Sequence, residues 1–331
     1  MEPHSGSTYS QVNSIPDELR IEDTSAVERQ FLAELAGLAP ELQDAGGTLF
    51  RRIVTPNWAL EWGMPRWLGE TFDLSEHITG ELVMANAYML AYIRITDDLA
   101  DGDAPGSSVR LAVSIYHLWM RRYLRLFDEQ RVQATREFWA YFDECMTRWL
   151  NATMGAAQPV PPFGSYTEAD YLHLADRGAT LKIVCAAACL LAGRERDLPL
   201  LGSATDDIMA GVVLLDDRFD WRTDLDAGRY NAFVAYCSDL PQIEEYRDAN
   251  RRAVLEEIHF GKAAQPYFTV IAELAERARR NAEAAGCRLL ARFAEWYAEE
   301  AVGCGVWLRN EAASRMHDFL VQHSVPVEPA S

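Results

Sequence analysis

The stretch Thr205–Asp226, TDDIMAGVVLLDDRFDWRTDLD, decides how the chain is read. An apolar run, Ile208–Leu215, leads directly into a cluster of carboxylates. Asp216, Asp220 and Asp224 fall at i, i+4 and i+8, so a helix stacks three oxygen donors on one face over two turns. Asp is rarely buried without a partner or a metal, so an acidic cluster closing an apolar helix calls for a purpose. A solvated acidic face is the plainer alternative.

Upstream lies a second acidic helix end. Asp97-Asp98-Leu99-Ala100-Asp101 follows the apolar run Tyr88–Ile95, and Asp97 and Asp101 share a face at i, i+4. Carboxylates at a helix C-terminus oppose the macrodipole, which a merely solvated terminus leaves unexplained. Magnesium keeps an octahedral oxygen shell and is typically shared between a few carboxylates and substrate phosphates, so two facing clusters suit a diphosphate clamp.

Around these stretches the periodicity is helical from about Ser25 to His323, which predicts an all-α fold with a single domain over 25–323 and tails at 1–24 and 324–331. Breaks are expected at Asp44–Gly47, Gly102–Ser108, Gly155–Ser165, Gly193–Ser203, Ser238–Pro241 and Gly261–Gln265. Long bundle helices are expected at Glu76–Asp101, Ser108–Phe127, Arg131–Met154, Tyr166–Ala192 and Thr205–Asp226. Leu82–Ile95 and Leu181–Ala192 are apolar on more than one face, the mark of helices buried inside a ring of others.

With 331 residues, 49% of them hydrophobic, the chain can bury a large core, and its formal charge of −19 argues against nucleic-acid binding. The same charge would repel a diphosphate unless cations and local arginines met it. Six cysteines without C-x-x-C spacing read as reduced thiols of a cytoplasmic protein. The start of the chain resembles neither signal peptide nor membrane anchor, and the most apolar stretch, Ile183–Ala192, is too short to span a bilayer.

DDLAD at 97–101 resembles the aspartate-rich motif of class I terpene synthases and trans-prenyltransferases. The second cluster, with Gly228 and Asn231 following, is similar to the second metal motif of the cyclases, with Asp220 in place of Ser/Thr and Asp224 in place of Glu. The resemblance implies an isoprenoid-synthase-like helical bundle with a central active-site cavity. It further implies that Asp97 and Asp101 share two magnesium ions, while Asp216, Asp220 and Asp224 hold a third. Asp98 and Asp217 would be salt-bridged or supporting.

Diphosphate donors are then expected at Arg177, which opens the buried run Leu181–Ala192, and at Arg229, Tyr230 and Arg309. Leu90, Ile93, Val213 and Trp307 are the expected pocket residues, with Trp296 a further candidate wall, since aromatic faces stabilise carbocations. Small residues Ala85, Ala87 and Ala91 favour room for a C15 or C20 substrate. The implied function is ionisation and cyclisation of a prenyl diphosphate, and the resemblance allows a homodimer. A prenyltransferase is the first alternative, although no basic motif for a second diphosphate follows Gly46-Gly47 or Asp101. A di-iron bundle would use Glu256-Glu257-Ile258-His259 but lacks a second such motif. A non-enzymatic acidic helical binding protein is the third reading.

Overall fold

A computed structural model describes residues 15–20, 23–55, 58–100, 102–128, 132–154, 165–238 and 264–323. Among these residues all regular structure is helical, as expected. The α-helices are α1 (Ser25–Leu38), α2 (Gln43–Ile53), α3 (Ala59–Thr71), α4 (Glu76–Ala100), α5 (Ser108–Phe127), α6 (Val132–Met154), α7 (Glu168–Ala175), α8 (Lys182–Leu191), α9 (Leu198–Ala227), α10 (Ala232–Ser238), α11 (Ala264–Ala284) and α12 (Arg288–His323).

Helices with no polar face lie inside. Leu82–Ala91 of α4 and Lys182–Leu190 of α8 are buried at every position. Outer helices show one apolar stripe: Leu111, Ile115, Leu118, Trp119 and Leu126 turn inward from α5, with the charged Arg122 among them, and Phe138, Phe142, Cys145 and Trp149 from α6. Each fully buried Leu or Phe stabilises the bundle by about 1.5–3 kcal/mol. Packing runs α3 on α4, α4 on α5, α6 on α8, α8 on α9, α9 on α11 and α11 on α12; α12 returns to α3 and closes the ring.

Buried ion pairs pin the ring. Arg122 of α5, 2% exposed, joins Glu34 of α1 to Glu81 of α4. Lys182 Nζ donates to Asp206 at 2.7 Å, tying α8 to α9, and Arg277 of α11 grips Asp207 of α9, with Nε at 2.8 Å.

Several expected boundaries move. Asp44–Gly47 is no break: it lies within α2, where Gly46 is buried against Leu35 and Phe31 of α1. Tyr166–Ala192 is not one helix. Asp170 accepts from the N–H and the hydroxyl of Thr167 at 2.6 and 2.7 Å and starts α7 afresh, and the tight 3-10 segment Asp176–Leu181, with Asp176 on Arg148 Nε at 2.6 Å, separates α7 from α8. α9 begins at Leu198, before Thr205, because Pro199 sits in its first turn, where a missing N–H costs nothing. The expected breaks at Ser238–Pro241 and Gly261–Gln265 fall largely, and Glu256–His259 wholly, outside the described residues.

α9, rather than Ile183–Ala192, is long and apolar enough by length and composition to cross a membrane, but 67% of its most apolar window is buried inside the bundle. Among the described residues the cysteines form no disulfide.

Candidate functional site

Two central helices present matching faces. On α4, Met89, Leu90, Ile93, Asp97 and Ala100 recur at helical spacing; on α9, Met209, Val212, Val213 and Asp216 do the same. All nine line one cavity of about 430 Å³. On each helix the acid follows the large apolar residues in sequence, with only Ala100 beyond Asp97 on α4. Met89 and Asp97 stand eight residues apart, about 12 Å along the helix, so the α4 wall passes from greasy to acidic.

The other walls come from Trp58–Glu61 before and at the start of α3, Trp149 and Thr153 of α6, and Phe293, Trp296 and Tyr297 of α12; the 3-10 segment adds Arg177. Phe293 and Tyr297 stack with centroids 6.0 Å apart, and Trp149 leans on Tyr92 at 5.9 Å. The size lies within the usual range for small-molecule sites.

Each Asp pair divides its work. Asp97 lines the cavity, whereas Asp98 is buried and takes a two-pronged hydrogen bond from Arg52 of α2 at 2.6 and 3.0 Å, with Arg94 at 3.0 Å. In the second cluster Asp216 lines the cavity, whereas Asp217 is buried and accepts from the Ala232 N–H at 2.7 Å. Burial pushes the Asp217 carboxyl up to about 7, against the pull of the Ala232 N–H and the Arg177 charge and with the push of Asp224 and Asp216.

The turn after α9 is built for this. Gly228 adopts φ +69°, a left-handed conformation that glycine takes without strain, and folds the chain back. Asn231 then donates from Nδ2 to the Asp217 carbonyl at 2.7 Å and to Asp224 Oδ2 at 2.8 Å.

Of the expected residues, Asp97, Asp216, Arg177, Leu90, Ile93, Val213 and Trp296 meet at this cavity. Asp220 and Asp224 stand further along α9 and are not among its lining residues. Arg229 is exposed, and the Tyr230 hydroxyl shares a 2.5 Å hydrogen bond with Tyr166. Trp307 is a correction: it is 49% exposed and is not among the lining residues of this cavity. It shares a helix face with Trp296 but stands eleven residues, about 16 Å, further along α12. Ala85, Ala87 and Ala91 are fully buried and are not among the cavity's lining residues. Asp101 and the side chain of Arg309 lie outside the described residues.

Sequence reading missed Glu61. It is partly buried and lines the cavity. Burial chiefly pushes its carboxyl up to about 7, against the pull of its own backbone N–H and with the Asp216 charge adding to the rise. Its Oε2 is buried without a hydrogen-bond partner. The signal available was a lone acid between Leu60 and Trp62 in an otherwise apolar turn.

Among the described residues no group of three His, Cys, Asp or Glu side chains stands close enough to hold a metal by itself. Magnesium does not demand that, since it usually takes one or two carboxylates plus waters and phosphate oxygens. Asp97 and Asp216 on separate walls therefore fit ions shared with a phosphate-bearing ligand, and do not fit a resident metal held by protein alone.

Comparison with protein-family models, with curated proteins and with solved structures returns no match. Fold and site together define an all-α bundle with an apolar, aromatic cavity edged by two carboxylates and an arginine.

Proposed function

We propose that the protein is a cytoplasmic, magnesium-dependent class I terpene synthase that ionises an allylic prenyl diphosphate of C15 or C20 length and cyclises the carbocation. The observation that carries this reading is the single cavity lined by Asp97 of α4, Asp216 of α9 and Arg177, with apolar residues preceding the acid on both helices. A diphosphate joined to a prenyl chain has the same polarity, charged at one end and greasy along the rest.

Asp97 and Asp216 are the residues that would hold magnesium, which when bound neutralises charge growing on the leaving diphosphate. Arg177 offers a planar fork of donors to the same oxygens. Trp58, Trp149, Phe293, Trp296 and Tyr297 supply aromatic faces that attract a cation, and the surrounding apolar wall keeps water from it. Asp98 and Asp217 do not touch the ligand; they hold α4 and α9 in the positions from which Asp97 and Asp216 reach it.

A prenyltransferase would need basic groups for a second diphosphate, and Arg177 is the one basic side chain among the cavity's described lining residues. The reading is tested by thermal melting with inorganic diphosphate and magnesium. Together they should raise the melting temperature, whereas either alone should not. An unchanged melting temperature with both would count against the clamp.

A further inference from the structure

We propose that Glu61 is the base that ends the reaction, taking a proton from the carbocation inside the cavity; this rests on the terpene synthase reading. Glu61 sits on α3, a helix that carries neither acidic motif, and it lines the same cavity as Asp97 and Asp216. Its neighbours in sequence, Ala59, Leu60 and Trp62, are buried and apolar.

A structural carboxylate in such a place finds an arginine, as Asp98 and Asp207 do. Glu61 has no such partner: among the described residues no basic side chain pairs with it, its carboxyl is met only by its own backbone N–H, and Oε2 is sealed in protein unpaired. The turn that carries it is nonetheless fixed, because Asn86 of α4 donates from Nδ2 to the Glu61 carbonyl at 2.6 Å. An isolated buried carboxyl is costly to keep, and the cost falls when a cation arrives beside it. Desolvation also raises a carboxylate's appetite for a proton.

The step balances without a further reagent. A C–H bond adjacent to the cationic carbon breaks, its electron pair becomes the new C=C bond, and the proton moves to the Glu61 carboxylate. The neutral alkene leaves, and Glu61 returns its proton to water or to the departing diphosphate. Asp97 and Asp216, committed to the diphosphate end, are poor competitors for this role.

The experiment gives wild type, Glu61→Gln and Glu61→Asp a C15 allylic diphosphate with magnesium, and reads diphosphate release and hydrocarbon composition separately. Glu61→Gln keeps the shape of the side chain and removes the base. It should release diphosphate within about threefold of wild type, while the main alkene's share falls at least about tenfold in favour of other alkenes or water-captured alcohol, a loss in the range typical of a deleted general base. Glu61→Asp, one methylene shorter, should recover part of the original product. Wild-type composition from Glu61→Gln would overturn the assignment and leave the terpene synthase reading standing. No diphosphate release by wild type would instead overturn that reading and this inference with it. Circular dichroism checks that the variants fold; should Glu61→Gln fail to, Glu61→Asp decides alone, because an unchanged product ratio and rate after withdrawing the carboxyl would contradict a proton transfer at this position.

Discussion

Asn231 Nδ2 donates to Asp224 Oδ2 at 2.8 Å, joining the residue after the Gly228 turn to the acid one turn before the end of α9. The same amide satisfies the Asp217 carbonyl, and its Oδ1 accepts from the Val234 N–H at 3.0 Å, so one buried side chain fixes the turn, the second acidic cluster and the start of α10. Asn231→Ala should therefore destabilise the fold by about 1–3 kcal/mol, the cost of leaving buried polar groups unpaired. Denaturant unfolding measures it, and a change below about 0.5 kcal/mol would show that the turn holds without the amide.

Asp97 and Asp98 are neighbours with opposite duties. Asp97→Ala should abolish turnover and leave the melting temperature close to wild type, because the side chain is half exposed on the cavity side. Asp98→Ala should lower stability by about 1–2 kcal/mol, since Arg52 and Arg94 lose their shared acceptor. Asp216→Ala and Asp217→Ala should split in the same way. Paired thermal melts and turnover assays on the four variants check the division.

Arg177→Ala should slow diphosphate release on the order of 100-fold, as expected for deleting a charge-assisted donor to a leaving group. The folded state should be little affected, because Arg177 is exposed in the 3-10 segment. Wild-type kinetics in this variant would move the diphosphate donor elsewhere.

Glu61 gives a pH dependence with a definite sign. Its folded-state value is raised from 4.5 to about 7, so between those values the folded protein binds more protons than the unfolded chain. Stability from this group is fully present below pH 4.5 and declines as pH rises to about 7, by a few kcal/mol at roughly 1.4 per unit. Glu61→Gln lacks that titration. Its melting temperature relative to wild type should accordingly rise from pH 4.5 to pH 7 and level off above, and a difference independent of pH would contradict the assignment.

Helix positions such as Ser108–Phe127 were legible because one apolar stripe at helical spacing is a local property, and α4 and α8 were legible as central helices because they lack a polar face. The break between α7 and α8 was not, since it depends on Arg148 of α6 drawing Asp176 aside, a contact 28 residues distant. The cavity faces of α4 and α9 could be read from the spacing of Leu90, Ile93, Asp97, Val213 and Asp216. Trp296 and Trp307 could not be told apart, because periodicity gives the face of α12 and not where along it the cavity ends. Glu61 escaped for a related reason: it lines a cavity whose facing residues Phe293, Trp296 and Tyr297 come from α12, which packs on α3 from a distant part of the chain.

The most direct test of the account is incubation of the wild-type protein with C10, C15 and C20 allylic diphosphates and magnesium, reading inorganic diphosphate and extractable hydrocarbon together. The C15 or C20 substrate should yield equal amounts of diphosphate and a terpene hydrocarbon or alcohol. Chelator should abolish this, and added isopentenyl diphosphate should leave it unchanged. Absence of diphosphate release from all three substrates, or release that survives chelation, would contradict the account at its centre; a longer linear prenyl diphosphate as the main product would contradict cyclisation and assign the same cavity to chain elongation.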